Sequence, residues 1–382
     1  MIAKLLIPML GVLTMLGIAY TLAAAALVAR LHRRRNEEAP APPQAVTILK
    51  PLFGAEPRLV ENLETFLRQD WDAPIQLLCG VHAASDPAFA AVEALKARYP
   101  EHDIACVVDD LRHGANAKVG NLINMLPAAR HDILILSDSD MSAGPDYLRR
   151  VVAALDAPDV GAVTCLYRGR GDTGVWSVLG AAGLSYNFLP SVIVGLALDA
   201  GDVCMGSTIA LRRATLDRIG GFTRFADRLA DDHAIGGAVR DCGLAVVVPP
   251  MVITHASTDQ SLLALFRHER RWAATVRQIN PAGYAGMIVT FPLPFALALL
   301  AFAPWAGAVL LVMAVATRAM LIASVDRLCG ARSAPLWLLP IRDILSLLVF
   351  FAGLVTGSVE WRGERLRMRD DGRIAADAEM TG

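Results

Sequence analysis

The sequence predicts an α/β domain with a parallel sheet, flanked at both ends of the chain by apolar helices long enough to cross a membrane. Short apolar runs alternate with amphipathic stretches between residues 45 and 277. No charged residue occurs from Leu5 to Ala29, or between Arg277 and Arg318. Of the 382 residues, 54% are hydrophobic and only 19% are charged, whereas a soluble domain has roughly 25% charged residues. This composition favours a soluble domain joined to a few membrane helices.

The segment Leu5–Ala29 predicts an uncleaved membrane anchor within residues 1–35. A bilayer core takes about 20 apolar residues, and this run is longer. A cleaved signal peptide is the alternative, but its apolar region would have roughly 7–15 residues. The run ends in a basic flank, which predicts that the N-terminus faces out and the following residues are cytosolic. Residues 36–44 then predict a stiff, proline-containing linker.

Four apolar runs predict the first strands of the sheet, at residues 46–49, 75–81, 103–108 and 132–137. Helical apolar spacing lies between them at residues 56–68 and 87–99. Continuous apolar strands that alternate with helices are typical of a parallel sheet covered on both faces. Ligands of such sheets bind at the carboxyl ends of the strands, so the residues after each strand are the candidates for function.

An uncharged stretch at residues 173–198 interrupts the predicted cytosolic domain (45–277). Its length would allow a span, but one crossing would place the motifs before and after it on opposite sides of the membrane. We therefore predict a membrane-facing segment of interfacial helices broken at Pro190. A buried pair of core helices is the alternative.

The C-terminal region, residues 278–360, predicts a hairpin of two spans at about residues 283–303 and 305–325. A final apolar block at 334–359 contains Arg342 and Asp343. We favour a span for this block, although the basic tail that begins residues 361–382 would then face out, against the positive-inside tendency. A re-entrant or interfacial segment is the alternative.

Two pairs of aspartates lie at positions that favour metal binding or base catalysis. Asp138 and Asp140 directly follow the fourth strand, and carboxylates spaced in this way can reach one Mg²⁺ or Mn²⁺ ion together with substrate phosphates. A simple turn is the alternative. Asp231 and Asp232 precede a helical pattern, where one of them is either a catalytic base or an N-cap.

Three further residues, Lys50, Asp86 and Lys118, are candidates for binding a nucleotide, because Lys50 ends the first strand, Asp86 follows the second and Lys118 follows the third. Lys118 could reach a phosphate, and a carboxylate at this edge could accept hydrogen bonds from a base or ribose. For Lys118, the start of an exposed helix is the alternative.

A basic and aromatic cluster precedes the C-terminal hairpin and contains His268, Arg270, Arg271 and Trp272. Arginine holds diphosphate oxygens by paired hydrogen bonds, and tryptophan stacks on a sugar or base. Anchoring at the membrane interface is the alternative, because the same residue types are favoured there.

Charge and cysteine content exclude other classes. The net charge is −1, so nothing indicates a global nucleic-acid-binding face. The six cysteines form no CxxC pair, so neither a zinc site nor a disulfide framework is indicated, and free thiols are expected.

Taken in this order, the motifs resemble family-2-type glycosyltransferases of the GT-A fold, above all the ceramide glucosyltransferase group and its bacterial relatives in hopanoid biosynthesis. That group has three aspartates and a (Q/R)xxRW motif. Asp86, Asp138 and Asp232 are similar to the three aspartates, and Arg271-Trp272 to the RW. His268 stands where the pattern has Gln or Arg. Lys-Pro-Leu at 50–52 and Asn-x-Lys-Val-x-Asn-Leu at 116–122 are similar to short signatures of the group.

The resemblance implies inverting transfer from a UDP-sugar to a lipid hydroxyl at a bacterial inner membrane. It implies uridine near Asp86, Mg²⁺ or Mn²⁺ on Asp138 and Asp140, and Asp232 as the base beside Asp231. It also assigns Arg271, with Arg270 or His268, to the diphosphate.

For the substrates, the resemblance favours transfer of N-acetylglucosamine from UDP-GlcNAc to bacteriohopanetetrol. Glucosyl or glucuronosyl transfer to ceramide is the alternative. A polysaccharide synthase or a non-catalytic lipid transporter is less expected.

Overall fold

The computed structural model describes residues 2–35, 41–200, 202–356, 358–361, 364–368 and 374–376. The chain forms two compact units. The helical unit comprises Met1–Arg34, Arg168–Gly201 and Asp259–Glu360, and the sheet unit comprises Arg35–Tyr167, Asp202–Thr258 and Trp361–Gly382. Most of the predicted linker (residues 36–40) and much of the predicted basic tail lie outside the described residues.

Both units are built from short strands and from helices of widely different length. The strands are β1 (Val46–Pro51), β2 (Ile75–Val81), β3 (Asp103–Val108), β4 (Ile133–Leu136), β5 (Met141–Ser142), β6 (Val160–Thr164), β7 (Leu166–Gly171), β8 (Ile209–Arg212), β9 (Ala245–Val247), β10 (Val252–Ser257), β11 (Ser358–Trp361), β12 (Glu364–Met368) and β13 (Ile374–Ala376). The α-helices are α1 (Ile2–Arg34), α2 (Leu59–Leu67), α3 (Pro87–Arg98), α4 (Ala117–Met125), α5 (Tyr147–Leu155), α6 (Val175–Gly183), α7 (Leu189–Ala197), α8 (Arg213–Arg218), α9 (Asp231–Asp241), α10 (Leu262–Ile279), α11 (Pro281–Gly286), α12 (Pro292–Phe302), α13 (Pro304–Cys329) and α14 (Leu339–Leu354).

The main sheet of the sheet unit has seven strands in the order β3-β2-β1-β4-β8-β6-β9. The four predicted strands are confirmed as β1 to β4, and they run parallel to one another. The sheet as a whole is mixed, because β8 runs antiparallel to both β4 and β6. The chain leaves β1 for β2 on one side and meets β4 on the other, so a topological switch point lies between β1 and β4. Open α/β sheets bind their ligands at such a point.

Side chains of β1, β2 and β4 are buried on both faces of the sheet, whereas those of the edge strand β3 are mostly only half-buried. Along β4, Ile133 and Ile135 enter one apolar cluster, while Leu134 and Leu136 enter the other. Burial on both faces explains why these strands are continuous apolar runs in the sequence rather than alternating ones. The sheet is therefore a rigid base for the loops at its carboxyl edge.

Among the described residues, four helical segments of the helical unit are long and apolar enough to cross a membrane, or up to five if a bent pair is one span. They are Lys4–Arg34, Val175–Ala197, Pro304–Cys329 and Leu336–Leu354, and the bent pair is Pro281–Thr290 with Pro292–Phe302. The N-terminal anchor and the final block are thus helical as predicted. The first arm of the predicted hairpin is not one straight helix, because it bends by 56° at Phe291.

The expected break at Pro190 is wrong. Helix α6 continues through a π-helical turn, Leu184–Phe188, directly into α7, where Pro190 lies in the first turn. Proline cannot donate to the carbonyl four residues earlier, that of Tyr186, and this carbonyl accepts a hydrogen bond from Arg318 instead. The segment is therefore one helical run, widened by the π turn.

We expect Gly17→Ala to destabilise the helical unit, because an added Cβ on α1 would lie 2.8 Å from the carbonyl oxygen of Val289 and 2.8 Å from Cβ of Pro292. Overpacking of this kind costs about 1–3 kcal/mol. Gly11→Ala, six positions earlier on the same helix, is the matched control, since its Cβ would meet nothing within 4 Å. Thermal unfolding in detergent should show a lower midpoint for Gly17→Ala alone. Equal midpoints for the two variants would contradict the close approach of α1.

Candidate active site

The acidic residues predicted from the sequence come together around Gly206. A Cβ at this glycine would lie 2.9 Å from Oδ2 of Asp138, 3.0 Å from Nζ of Lys118 and 3.5 Å from Oδ2 of Asp232. The three side chains come from the loop after β4, from α4 and from α9. Because Gly206 has no side chain, Asp138, Lys118 and Asp232 can all lie close to its backbone. This group, with Asp231, is called the acidic cluster below.

Lys118 is the cation of the acidic cluster. Its Nζ lies 2.7 Å from Oδ1 of Asp138 and 3.4 Å from Oδ2 of Asp231. Burial acts to lower the pKa of Lys118, but the surrounding carboxylates more than offset burial and raise the pKa above its ordinary value. The ammonium is therefore held in its charged form and offsets the repulsion between the carboxylates.

Asn116 ties the helix of Lys118 to the loop that precedes α9. Its side-chain oxygen caps α4 by accepting from the backbone N–H groups of Lys118 and Val119. Its Nδ2 donates to the carbonyl of Arg228 at 2.7 Å. One side chain thus fixes both the start of α4 and the approach to Asp231.

Asp231 and Asp232 occupy the first turn of α9, where the helix dipole favours negative charge. The N-cap position belongs to Ala230, so neither aspartate has the capping role that the sequence left open. Asp231 is buried against Lys118. Asp232 is partly exposed, and its Oδ2 accepts from the backbone N–H of Gly206 at 2.9 Å. Of the two carboxylates, Asp232 is the one placed to meet an incoming molecule.

His255 contacts the second aspartate of the D-x-D turn and was not singled out from the sequence. Its Nε2 lies 3.1 Å from Oδ2 of Asp140, and its ring centroid lies 5.8 Å from that of Tyr167. Strand β10 brings it there, because His255 is directly opposite Met141 of β5. Burial acts to lower the pKa of His255, but the nearby carboxylates, Asp140 first, raise it overall.

Glu56 is a second residue that sequence reasoning missed. Its Oε1 accepts from Oγ of Ser139 at 2.7 Å. Its Oε2 is buried without a hydrogen-bond partner among the described residues. Burial, together with the charge of Asp140, raises the pKa of Glu56 to about 7. Its place in the loop after β1 was the available signal, since the neighbouring strand ends carry the other acidic residues.

Lys50 lies at the end of β1, as predicted, but its side chain is directed into the protein. It is fully buried, and its Nζ donates to Oγ of Ser137 at 3.0 Å and to the carbonyl of Asp138 at 2.9 Å. The same nitrogen lies 3.5 Å from the ring centroid of Phe66. Burial lowers the pKa of Lys50 to about 7. These contacts use the Lys50 side chain to hold the D-x-D loop, and its predicted contact with the nucleotide stays a prediction.

Asp86 caps α3 and also holds the loop after β1. Its carboxylate accepts from the backbone N–H of Ala88 at 2.8 Å and from that of Gly54 at 2.9 Å. The structure thus gives Asp86 a local structural role, and its predicted contact with uridine stays a prediction.

The D-x-D turn offers oxygen donors to a divalent cation. Among the described residues, no group of three or more His, Cys, Asp or Glu side chains is arranged to hold a metal ion. Magnesium usually binds through one or two carboxylates and completes its shell with water and substrate phosphates. Asp138 and Asp140 are two such carboxylates and fit a metal that arrives with a nucleotide, and the unpartnered Oε2 of Glu56 belongs to the side chain that accepts from Ser139 between them.

The four residues of the basic and aromatic cluster lie on α10 in the helical unit. The ring centroids of His268 and Trp272 are 4.3 Å apart, and Nδ1 of His268 lies 3.4 Å from Oδ2 of Asp259. Arg270 is exposed, and Arg271 is half-buried. The predicted role of these residues at a diphosphate stays a prediction.

Comparison with known proteins gives one family. The model of glycosyl transferase family 21 matches residues 9–374. Ceramide glucosyltransferase 1 of Caenorhabditis elegans is 26% identical over 247 residues, which cover 64% of this chain and 52% of that protein. Ceramide glucosyltransferase of Komagataella phaffii is 32% identical over 128 residues, covering 32% of this chain and 25% of that protein. The chain thus spans about half, or less, of the length of these relatives.

Among solved structures, the mannosyltransferase PcManGT from Pyrobaculum calidifontis, in complex with GDP-Man and Mn²⁺, is 20% identical. The similarity covers 90% of this chain and 99% of that chain, with a TM-score of 0.49.

We expect Lys118→Met to lower the free energy of unfolding of the protein by about 3 kcal/mol, the low end for a buried pair, because it leaves the buried carboxylate of Asp231 and the partly exposed one of Asp138 without their counter-ion. Lys96→Met is the control, since Lys96 forms an exposed pair with Glu93 and such pairs contribute about 0–1 kcal/mol. Adding Asp231→Asn to Lys118→Met should recover part of the loss, as measured by urea unfolding. Equal stability of the two lysine variants would contradict the proposed charge balance.

Proposed function

Because the chain belongs to glycosyl transferase family 21 and is a glycosyltransferase, we propose that it transfers glucose from UDP-glucose to the primary hydroxyl of ceramide. The relatives that match it are ceramide glucosyltransferases. A lipid acceptor also suits a chain with four helices apolar enough to span a membrane. The comparisons favour ceramide over the hopanoid acceptor preferred from the sequence, so the proposal adopts ceramide.

The observation that carries the proposal is the convergence of Asp138, Lys118 and Asp232 on Gly206. In the proposed reaction Asp232 takes the proton of the acceptor hydroxyl as that oxygen attacks the anomeric carbon of the sugar. The bond from this carbon to the diphosphate breaks on the opposite face, and UDP leaves. The carbon is inverted, so an α-linked donor gives a β-linked lipid.

Neighbouring groups of the acidic cluster prepare Asp232 for this step. The backbone N–H of Gly206 donates to Oδ2 of Asp232 and so fixes this carboxylate, which is partly exposed. Lys118 offsets the charges of Asp138 and Asp231, which keeps Asp232 from facing two uncompensated anions. A Mg²⁺ or Mn²⁺ ion held by Asp138 and Asp140 would supply charge neutralisation of the departing diphosphate.

The remaining sequence-predicted residues keep their roles as parts of the proposal. Asp86 is proposed to contact uridine, and the motif residues His268, Arg270, Arg271 and Trp272 are proposed to serve the donor. Supporting this, Arg is suited to diphosphate oxygens by its paired donors, and Trp to stacking. The proposed location is the cytoplasmic membrane of a bacterium, with the sheet unit in the cytosol.

We expect Asp232→Asn to lower turnover by at least 100-fold, because an amide cannot accept the proton. UDP binding should remain, since the shape of the side chain is kept. Asp241→Asn, at the exposed end of the same helix, is the matched control and should keep wild-type turnover. Sugar transfer and UDP binding are measured on the same preparations. Wild-type turnover by Asp232→Asn would remove the base assignment.

We expect Asp140→Asn to raise the Mn²⁺ concentration that gives half-maximal turnover about tenfold, because one anionic oxygen donor is lost. Asp103→Asn, which removes an exposed pair with Arg130, should leave this concentration unchanged. The titration starts from protein stripped with a chelator. An unchanged Mn²⁺ dependence in Asp140→Asn would argue against the D-x-D metal site.

The substrates are tested by measuring UDP release and labelled lipid with two donors, UDP-glucose and UDP-GlcNAc, against ceramide and bacteriohopanetetrol. The proposal expects labelled lipid from UDP-glucose and ceramide. Labelled lipid only from UDP-GlcNAc and bacteriohopanetetrol would replace the ceramide assignment by the hopanoid one. No UDP release with any pair, from protein that binds lipid, would instead indicate a non-catalytic lipid carrier.

A further inference from the structure

The final apolar helix carries two charged residues side by side, and both are buried. Arg342 and Asp343 are the fourth and fifth residues of α14, with only 2% and 5% of their surfaces exposed. Helix α14 belongs to the stretch Leu336–Leu354, which is apolar enough to span a membrane. Ionisable residues in such helices are costly unless they face the protein interior and pair with another group. Each of the two therefore needs a partner, and each has one.

Arg342 is held by Glu269 of α10. Its Nη1 lies 2.7 Å from Oε1 of Glu269, and its Nη2 lies 2.8 Å from Oε2. This two-pronged geometry is directional as well as strong. The guanidinium also donates to Oγ of Ser346 and to the carbonyl of Leu179. Arg342 thus joins α14, α10 and α6 at one point.

Asp343 is held by Arg318 of α13. Its two carboxylate oxygens accept from Nε at 3.1 Å and from Nη2 at 2.6 Å. Arg318 also donates to the side chain of Asn187 and to the carbonyl of Tyr186, both in the π-helical turn. Because consecutive residues of a helix project about 100° apart, Arg342 and Asp343 can face these two different neighbours. Neither charge of α14 is left uncompensated.

Glu269 lies inside the (Q/R)xxRW-like motif, between His268 and Arg271. Leu265, Glu269 and Ala273 are four residues apart and form one stripe of α10. The two apolar members of this stripe contact a cluster that includes Val349 of α14. Arg271, two residues after Glu269, projects about 160° away on the helix circumference. Fixing Glu269 therefore fixes the side of α10 to which Arg271 points.

We propose that Glu269 is a positioning residue, whose ion pair with Arg342 sets the rotation of α10 and so the orientation of Arg271. This inference rests on the proposed function, in which Arg271 serves the transfer. An apolar stripe alone lets a helix turn by some degrees without losing contact area. The two directed hydrogen bonds of the carboxylate–guanidinium pair remove that freedom.

The test is a double-mutant cycle on the full-length chain in lipid nanodiscs, with Glu269→Gln, Arg271→Ala and the two combined. We expect each single variant to lower kcat/KM for UDP-glucose at least tenfold. The combined variant should be no slower than Arg271→Ala, because Glu269 acts only through Arg271. If the combined variant instead showed the product of the two single losses in kcat/KM, the positioning role would be overturned. Such a result would mean that Glu269 acts independently of Arg271, as a merely structural residue would.

Two further results separate the inference from the proposed function. Wild-type turnover by Arg271→Ala would overturn the role of the motif in the proposed function, and the inference with it. Wild-type turnover by Glu269→Gln, together with reduced turnover by Arg271→Ala, would overturn the inference and leave the proposed function standing. Arg130→Ala, which breaks an exposed pair with Asp103, is the control and should match the wild type.

A charge-exchanged variant covers the case in which Glu269→Gln does not accumulate. Glu269→Arg combined with Arg342→Glu restores opposite charges at the same two positions. Recovery of at least half of the wild-type turnover supports the inference. An exchanged variant that keeps the wild-type thermal midpoint and lacks turnover would overturn it.

Discussion

The candidate active site depends on the partly buried ammonium of Lys118. It lies within ion-pair distance of Asp138 and Asp231, and Asp232 adds to the field that keeps it charged. Like charges in a poorly hydrated site disfavour one another's ionised form strongly. Without Lys118, the carboxylates could not all stay ionised so close together. Gly206 completes the arrangement, because any side chain there would enter the space that these groups occupy.

The positions of these groups follow from the topology of the sheet unit. Parallel strands end at one edge of the sheet, and the D-x-D loop follows β4 at the switch point next to β1. Lys50 holds this loop from beneath, and Asn116 ties α4 to the segment that leads into α9. The helical unit also pairs its buried charges, since Arg342 lies against Glu269 and Asp343 lies against Arg318. In both units, buried charges fix the geometry of the segments that carry the motifs.

Much of this could be predicted from the sequence, for physical reasons. Strands β1, β2 and β4 could be recognised because burial on both faces makes them continuous apolar runs. Asp138 and Asp140 could be placed because they directly follow such a strand. Pairings between distant segments could not be predicted in this way. The partners of Glu56 and His255 in the D-x-D turn lie far away along the chain. The inward direction of Lys50 likewise depends on Phe66 and Ser137, which no local pattern relates to it.

In the proposed reaction, the carboxylate of Asp232 removes the proton of the acceptor hydroxyl, and UDP is displaced from the sugar in a single step. Lys118 offsets the charge of the neighbouring carboxylates. The stereochemistry of the product tests this claim most directly. Proton NMR of glycolipid made from α-linked UDP-glucose distinguishes the two anomers by the coupling of the anomeric proton. A single displacement predicts only the β-linked lipid. An α-linked product would contradict it, because retention would require a second displacement or attack from the face of the leaving group.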